Sequence, residues 1–513
     1  VEEFVIPHRA PWNLPSETHF NDRRIGEYLT TVLNEKIVFV HGLGWFAFDQ
    51  VSPTAARWTQ LEGGADGAMR IVGDAVDEWV TLVCNSPSYD DGAKRKAATF
   101  LNRSKLSALS NTLADLMNTV PQVFDLEPWK VNTQSGVLDL LSGVVEASTP
   151  SQMNRHMCDF TCDDGVVDAA VRVRDAVESG LPLFVALYDA CGDNSRFVRF
   201  LEETHCGDGD LAAYVWRLAG SCMCGDGPGE RFHVAIGSGA NGKSVQWNMV
   251  QRLLGSYAQV MNSTVISSPW NTGSNGRGLD SMWLIHSCRM VFFPEIPFGA
   301  LNEQNVKVLT SGEPVVVNKK YANEAILRNS GKCVGHANVA PLGQPRDGGF
   351  MRRWSVVPYN FKVDPKDIDL SLQARLLGDP GELRAAVVWL VSGAMAYAAR
   401  SSEFGPGFGW LDGGDLPSSM VDAQEDYLSR IDVLGRFVKE RCVLGEGKKV
   451  LSTSAFASYT AFCSEEGVKV SSKRAFLADL KRFGVSETVD SHSRKRFLLG
   501  MGLLSDDDKY WEG

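Results

Sequence analysis

The stretch HVAIGSGANGKSVQWNMV, residues 233–250, constrains the fold more than any other part of the chain. Its first four residues read as a short buried strand. A turn holding Gly237, Gly239 and Gly242 follows. Then VQWNMVQRLLG has the apolar spacing of an amphipathic helix, with Gly255 as its C-cap. Strand, glycine turn and helix in that order predict a βα unit on a mostly parallel sheet.

The turn itself, GSGANGKS at 237–244, fits the spacing G-x4-G-K-[ST]. The chemistry explains the spacing. Glycines let backbone N–H groups turn inward around phosphate oxygens, and the helix N-terminus adds positive potential. Lys243 neutralises β and γ phosphates, and the Ser244 hydroxyl is placed to ligate Mg2+. Gly237, Gly239, Asn241, Gly242, Lys243, Ser244 and Val245 are therefore the candidate nucleotide-binding residues, with ATP and Mg2+ as the expected cofactors.

A loop of this kind needs an acid on a second strand. RMVFFPEI, residues 289–296, supplies four apolar residues leading to Glu295, which could polarise water or hold Mg2+; the bland alternative is a surface Glu after a proline. Next, NEQNVKVLTSGEPVVVNKKYANE, residues 302–324, predicts a helix and then a hairpin. Lys319, Lys320 and Tyr321 would sit at its tip, as charge for phosphates and a ring for stacking, or simply as a solvated turn. GKCVGHANVAP reads as a strand ending at Asn338, which could sense the γ-phosphate or act as a turn residue. Arg352 and Arg353 precede the strand WSVVPY and suit either a finger acting on a neighbour's nucleotide or an ion pair.

Length and composition bound the rest. With 513 residues, 44% of them hydrophobic, several cores are expected. A net charge of -11 excludes a protein coated in basic patches, so any nucleic-acid contact must be local. The longest apolar run, Ala385 to Ala399 between Arg384 and Arg400, is too short to span a bilayer and reads as a buried helix. No signal-peptide layout is present, and the opening on Val1 suggests a trimmed chain. The eleven cysteines are scattered and odd in number, which predicts reduced thiols. His156, Cys158 and Cys162, then Cys191, His205 and Cys206, lack zinc-knuckle spacing, so small buried thiols are expected there.

The expected organisation is an α/β, multidomain chain. Residues 1–195 form a mostly helical N-terminal α/β domain, including a hairpin at 37–49 and a helix at 102–120. Residues 196–415 form a P-loop ATPase core with a parallel sheet, ending at the Gly/Pro-rich stretch 404–417. Residues 425–500 suggest a winged helix, with Lys473, Arg474, Lys481 and Arg482 on or beside its second helix and Arg494, Lys495 and Arg496 on its wing. These are DNA-binding candidates, with a docking or ring-stabilising module as the alternative. Residues 501–513 form an acidic tail.

The order GSGANGKS, FFPE, KVLTSGEP with a lysine-tipped hairpin, strand-Asn and FMRRW resembles the superfamily III helicases. It is similar to their phage, plasmid and large-DNA-virus primase–helicase branch, of which Asn241 in the loop is typical. GWFAFD and VNTQSGVLDLLSG resemble the domain that precedes these helicases, and the likeness spans about residues 20–500. The resemblance implies an AAA+-like ATPase core and a homo-hexameric replicative helicase moving 3′ to 5′ on single-stranded or forked DNA. Lys243, Ser244 and Glu295 of one subunit would hold ATP, Asn338 would be the sensor, and Arg352 or Arg353 the neighbour's finger. Lys319 and Lys320 would line the channel. It also implies a phage origin, a bacterial host cytoplasm, no membrane, and a primase or polymerase as a partner; primase activity itself is not carried over to this chain, and any primase lies upstream of Val1 or on another protein. Two departures stand out: Glu295 is a single acid behind Pro294, and Arg352-Arg353 is a doublet. A P-loop DNA translocase of another task, or a passive DNA-binding ring or loader with weak ATPase, are the competing readings.

Overall fold

A computed structural model describes residues 14–15, 20–63, 65–120, 123–267, 285–297, 301–317, 325–341, 350, 352–404, 416–466, 470–490 and 494–504. It is α/β throughout. Four helices, Asp22–Leu33, Ala65–Asn85, Asp91–Ala98 and Arg103–Leu116, pack beside a sheet of β1 (Ile37–Val40), β2 (Gly44–Gln50), β3 (Ala56–Gln60) and β4 (Asn118–Thr119), ordered β3-β2-β1-β4. The expected hairpin is present, with Val40 opposite Gly44. A second small antiparallel sheet joins β5 (Lys130–Thr133), β6 (Gly136–Asp139) and β7 (Val145–Glu146).

Two aspartates of this region have local roles. Asp90 and Asp163 are N-caps, accepting from the Ala93 and Val166 amides at 2.7 Å and 2.8 Å. Such a cap satisfies a helix N–H that has no partner within the helix.

Next comes a five-stranded parallel sheet of β8 (Phe232–Ile236), β9 (Ala258–Val260), β10 (Met290–Phe293), β13 (Lys332–Ala337) and β14 (Trp354–Pro358). Its order is β14-β8-β13-β10-β9, and every pairing is parallel. Parallel strands need both faces covered, and here both are. On one face Ala235, Phe292, Val334 and Val357 share a core with the helices Asp164–Glu178, Gly209–Ser221, Lys243–Leu254 and Pro380–Phe404. On the other face Phe232, Val234, Val291, Phe293 and Cys333 meet Val38, Phe46 and Trp58 of the N-terminal sheet and Tyr427 and Ile431 of helix Ser418–Ile431. The first core also takes in Val131, Leu138 and Leu187, so apolar packing is continuous across residue 195.

The apolar run reads out as expected. It lies within helix Pro380–Phe404, and no helix among the described residues is long and apolar enough to cross a membrane. That helix crosses Gly209–Ser221 at a glycine pair: a Cβ on Gly393 would meet the Trp216 carbonyl oxygen at 2.4 Å.

A hairpin of β11 (Val315–Val317) and β12 (Ala325–Leu327) stands apart, with Val317 opposite Ala325. The chain ends in a separate core running from Leu434 to Met501. It holds helices Val433–Arg441, Ser452–Glu465 and Lys473–Asp479 and an antiparallel sheet of β15 (Cys442–Leu451), β16 (Ser486–Val489) and β17 (Arg496–Leu503), ordered β15-β17-β16. All eleven cysteines are free, and no group of three or more potential metal ligands occurs among the described residues.

Candidate functional site

The site is built at the carboxyl edge of the parallel sheet. β8 ends at Ile236, and the chain turns through residues 237–242 into helix Lys243–Leu254. Two glycines are required sterically. A Cβ on Gly237 would meet Asn241 Nδ2 at 2.0 Å and the Tyr359 carbonyl oxygen at 2.4 Å. Gly242 has φ of 79° and would meet Thr204 Oγ1 at 2.4 Å. The helix has no side-chain cap at Gly242, so its first N–H groups are left to an acceptor from outside the helix.

Lys243 is buried, at 3% exposure, yet carries an ammonium. Its Nζ donates to the Asn338 Oδ1 at 2.8 Å, to the Gly237 carbonyl at 3.0 Å and to the Asn241 Oδ1 at 3.3 Å. All three acceptors are uncharged, and burial holds the lysine below its ordinary pKa. Asn241, itself buried, is oriented by donating from Nδ2 to the Tyr359 carbonyl at 3.1 Å. The Tyr359 hydroxyl in turn donates to Gln246 Oε1 at 2.9 Å, tying the loop to its own helix.

The neighbouring strands bring in the other candidates. Asn338 directly follows β13, which lies between β8 and β10. Glu295 follows β10 by two residues and is exposed. Pro294 offers no N–H to the ladder, and pairing resumes where the Ile296 amide donates to the His336 carbonyl at 2.9 Å. With neighbouring strands about 4.8 Å apart, the acid lies roughly 10 Å across the sheet from the loop, room enough for a phosphate and a hydrated cation. Gly239, Ser244 and Val245 lie half-buried along the loop and first helical turn. ATP would be held by the loop amides and Lys243, and Mg2+ by Ser244 and Glu295. The oxygen donors suit that ion.

The remaining candidates are not brought to this edge. Arg352, exposed, and Arg353, half-buried, precede β14, whose Trp354 pairs with Phe232 at the start of β8. They therefore sit at the amino edge, roughly 13 Å or more from their own loop at about 3.3 Å per residue. Lys319, Lys320 and Tyr321 lie outside the described residues. In the C-terminal module, Lys473, Arg474, Lys481 and Arg496 line one cleft together with Leu477, Leu498 and Glu487, the last paired with Arg496 at 3.5 Å. Arg494 and Lys495 lie on the adjoining β16–β17 turn, where the Asp490 amide donates to the Lys495 carbonyl.

Thr204, Tyr359 and Gln246 support the loop but carry no sequence signal, since contact comes only with folding. Residues 26–206 match the family "D5 N terminal like". Residues 430–488 match "Poxvirus D5 protein-like". The two flank the glycine loop. A putative helicase of Acanthamoeba polyphaga mimivirus is 25% identical over 156 residues, a stretch that covers 30% of this chain and 16% of that relative. Among solved structures, an apo form of the NrS-1 C-terminal region is 10% identical with a TM-score of 0.34, covering 60% of this chain and 75% of the other. A second apo form of that region is 8% identical with a TM-score of 0.35, covering 94% of this chain and 100% of the other. With family matches on both sides of a strand–glycine loop–helix unit, the chain is similar to D5-type proteins and to a putative helicase of a large DNA virus.

Proposed function

We propose that this chain is an ATP-dependent DNA helicase that works as a homo-hexameric ring on single-stranded DNA, with a P-loop, AAA+-like core and a C-terminal winged helix. One observation carries the reading: Lys243 is held between the glycine loop and Asn338, on the edge where Glu295 also emerges. A triphosphate entering there would compete for the Lys243 ammonium. Release of Asn338 would then report nucleotide arrival to β13. Ser244 and Glu295 would hold Mg2+, which when bound would supply positive charge against the phosphates. Glu295 would accept a hydrogen bond from the attacking water and orient it in line.

The amino-edge position of Arg352 and Arg353 supports their acting on a neighbouring subunit, since neither can reach its own loop. Lys319, Lys320 and Tyr321 would contact the DNA in the ring's channel. The cleft lined by Lys473, Arg474, Lys481 and Arg496 would contact phosphates of the fork, with Arg494 and Lys495 on the wing. Only these surfaces need be basic, which fits a net charge of -11. Movement would be 3′ to 5′, alongside a primase or polymerase, in the cytoplasm of a phage-infected bacterium.

A passive ring or loader is the second reading, favoured by the exposure of Glu295 behind Pro294. ATP hydrolysis with and without single-stranded DNA, in the wild type and in Lys243→Ala, separates the two. DNA-stimulated turnover that vanishes in the variant supports the helicase. DNA binding without stimulated turnover overturns it.

A further inference from the structure

One half-buried polar side chain at the carboxyl edge has no role in the account above. His336 is the fifth residue of β13, two before Asn338. The register sets it beside Ala235 of β8, and its carbonyl accepts from the Ile296 amide, next to Glu295. Main-chain pairing thus holds His336 between the strand that feeds the glycine loop and the strand that feeds the acid.

Strand alternation decides where the ring goes. Val334, of the same parity, lies in the core shared with Ala235, Phe292 and the helix that begins at Lys243. Cys333 and Ala337, of the opposite parity, lie in the core on the other face. The His336 ring is therefore on the Lys243 side. It packs edge-on against Phe292 with centroids 5.7 Å apart. Its Nε2 is buried and has no hydrogen-bond partner among the described residues. Burial, and then the nearby Lys243 charge, push its pKa down to about 4, so the ring is neutral at pH 7.

The neighbours do not satisfy Nε2. Lys243 is a donor only, and its ammonium already makes three hydrogen bonds, to Gly237, Asn241 and Asn338. In the tautomer that carries its proton on Nε2, this atom is a donor that an anionic oxygen would satisfy, and a buried polar atom without a partner calls for an explanation.

Resting on the nucleotide-binding reading above, we propose that His336 is a further residue of that site, donating from Nε2 to the terminal phosphate of a bound nucleoside triphosphate. The contact would exist with a triphosphate and not with a diphosphate. His336 would thereby help the site tell ATP from ADP.

The test is titration of the full chain with fluorescent ATP and ADP analogues in Mg2+, alongside steady-state hydrolysis, for the wild type, His336→Ala and His336→Gln. His336→Ala should weaken the ATP analogue roughly tenfold and lower kcat, with ADP-analogue affinity within about twofold of wild type. His336→Gln, which keeps a donor, should recover most of the loss. Equal weakening of both analogues marks a packing role and overturns the proposal. So does an indifferent His336→Ala in a chain whose wild type binds nucleotide. A wild type that binds neither analogue, with Lys243→Ala unchanged from it, overturns the parent reading and this proposal with it.

Discussion

At the residue scale, Lys243 and Asn338 form one unit. Their 2.8 Å contact joins a buried ammonium to a neutral amide, a pairing that a phosphate would displace. Asn338→Ala should leave the lysine in place with two acceptors, and hydrolysis should fall roughly tenfold while nucleotide affinity changes little. Glu295 tests a different step. Glu295→Gln keeps the side chain's size and loses its charge, so ATP binding should persist while turnover drops roughly 10²- to 10³-fold. A passive ring would be indifferent, and a hydrolysis assay beside a binding titration reads both.

At the element scale, the most constrained contact lies away from the loop. Helix Pro380–Phe404 and helix Gly209–Ser221 approach through Gly393 and Gly220, where added side chains would meet backbone at 2.4 Å and 2.1 Å. Backbone atoms cannot move aside as flexible side chains do, so Gly393→Val should cost roughly 3 kcal/mol of stability, read by urea denaturation. The C-terminal module offers a second prediction. Lys473 and Arg474 line the same cleft from one helix. Replacing both by Glu should weaken DNA binding and reduce the salt slope by about two, measured by titration at several salt concentrations. A docking module would show no such change.

At the scale of the whole molecule, the sheet separates two sets of candidate residues by edge. Gly237, Glu295 and Asn338 lie at the carboxyl edge, while Arg352 and Arg353 lie at the amino edge. In the proposed ring this makes every site shared. Lys243→Ala chains and chains carrying Arg352→Ala with Arg353→Ala should each be inactive alone, and mixing them should restore measurable ATP hydrolysis. No recovery would exclude an arginine acting in trans. Acid stability is a second property of the whole fold. Burial pushes His205 down to about 4 and His233 down to about 3, so both are neutral when folded and protonate on unfolding. Their stabilisation is present above about pH 6.5 and is lost as pH falls, at about 2 kcal/mol each by pH 5. Asp125 opposes them: burial raises it to about 6, so its folded form gains stability as pH drops below that, by about 1 kcal/mol at pH 5. The melting temperature should therefore fall between pH 7 and pH 5.

The glycine loop, the strands at 232–236, 290–293, 332–337 and 354–358, and the buried helix at 385–399 were legible because each is a contiguous run whose composition sets its own backbone. The sequence by itself determined where phosphate-binding chemistry could reside, since glycines, Lys243 and Ser244 must be adjacent for one loop to use them. Only the tertiary structure decided what surrounds that loop. The insertion of β13 between β8 and β10 sets Asn338 and His336 beside Lys243, and contacts from Thr204 and Tyr359 fix the loop's path. Asn338 and Tyr359 are 95 and 118 residues from their partners in the loop, and strand order, which no local pattern encodes, is settled by which faces bury the most apolar surface together.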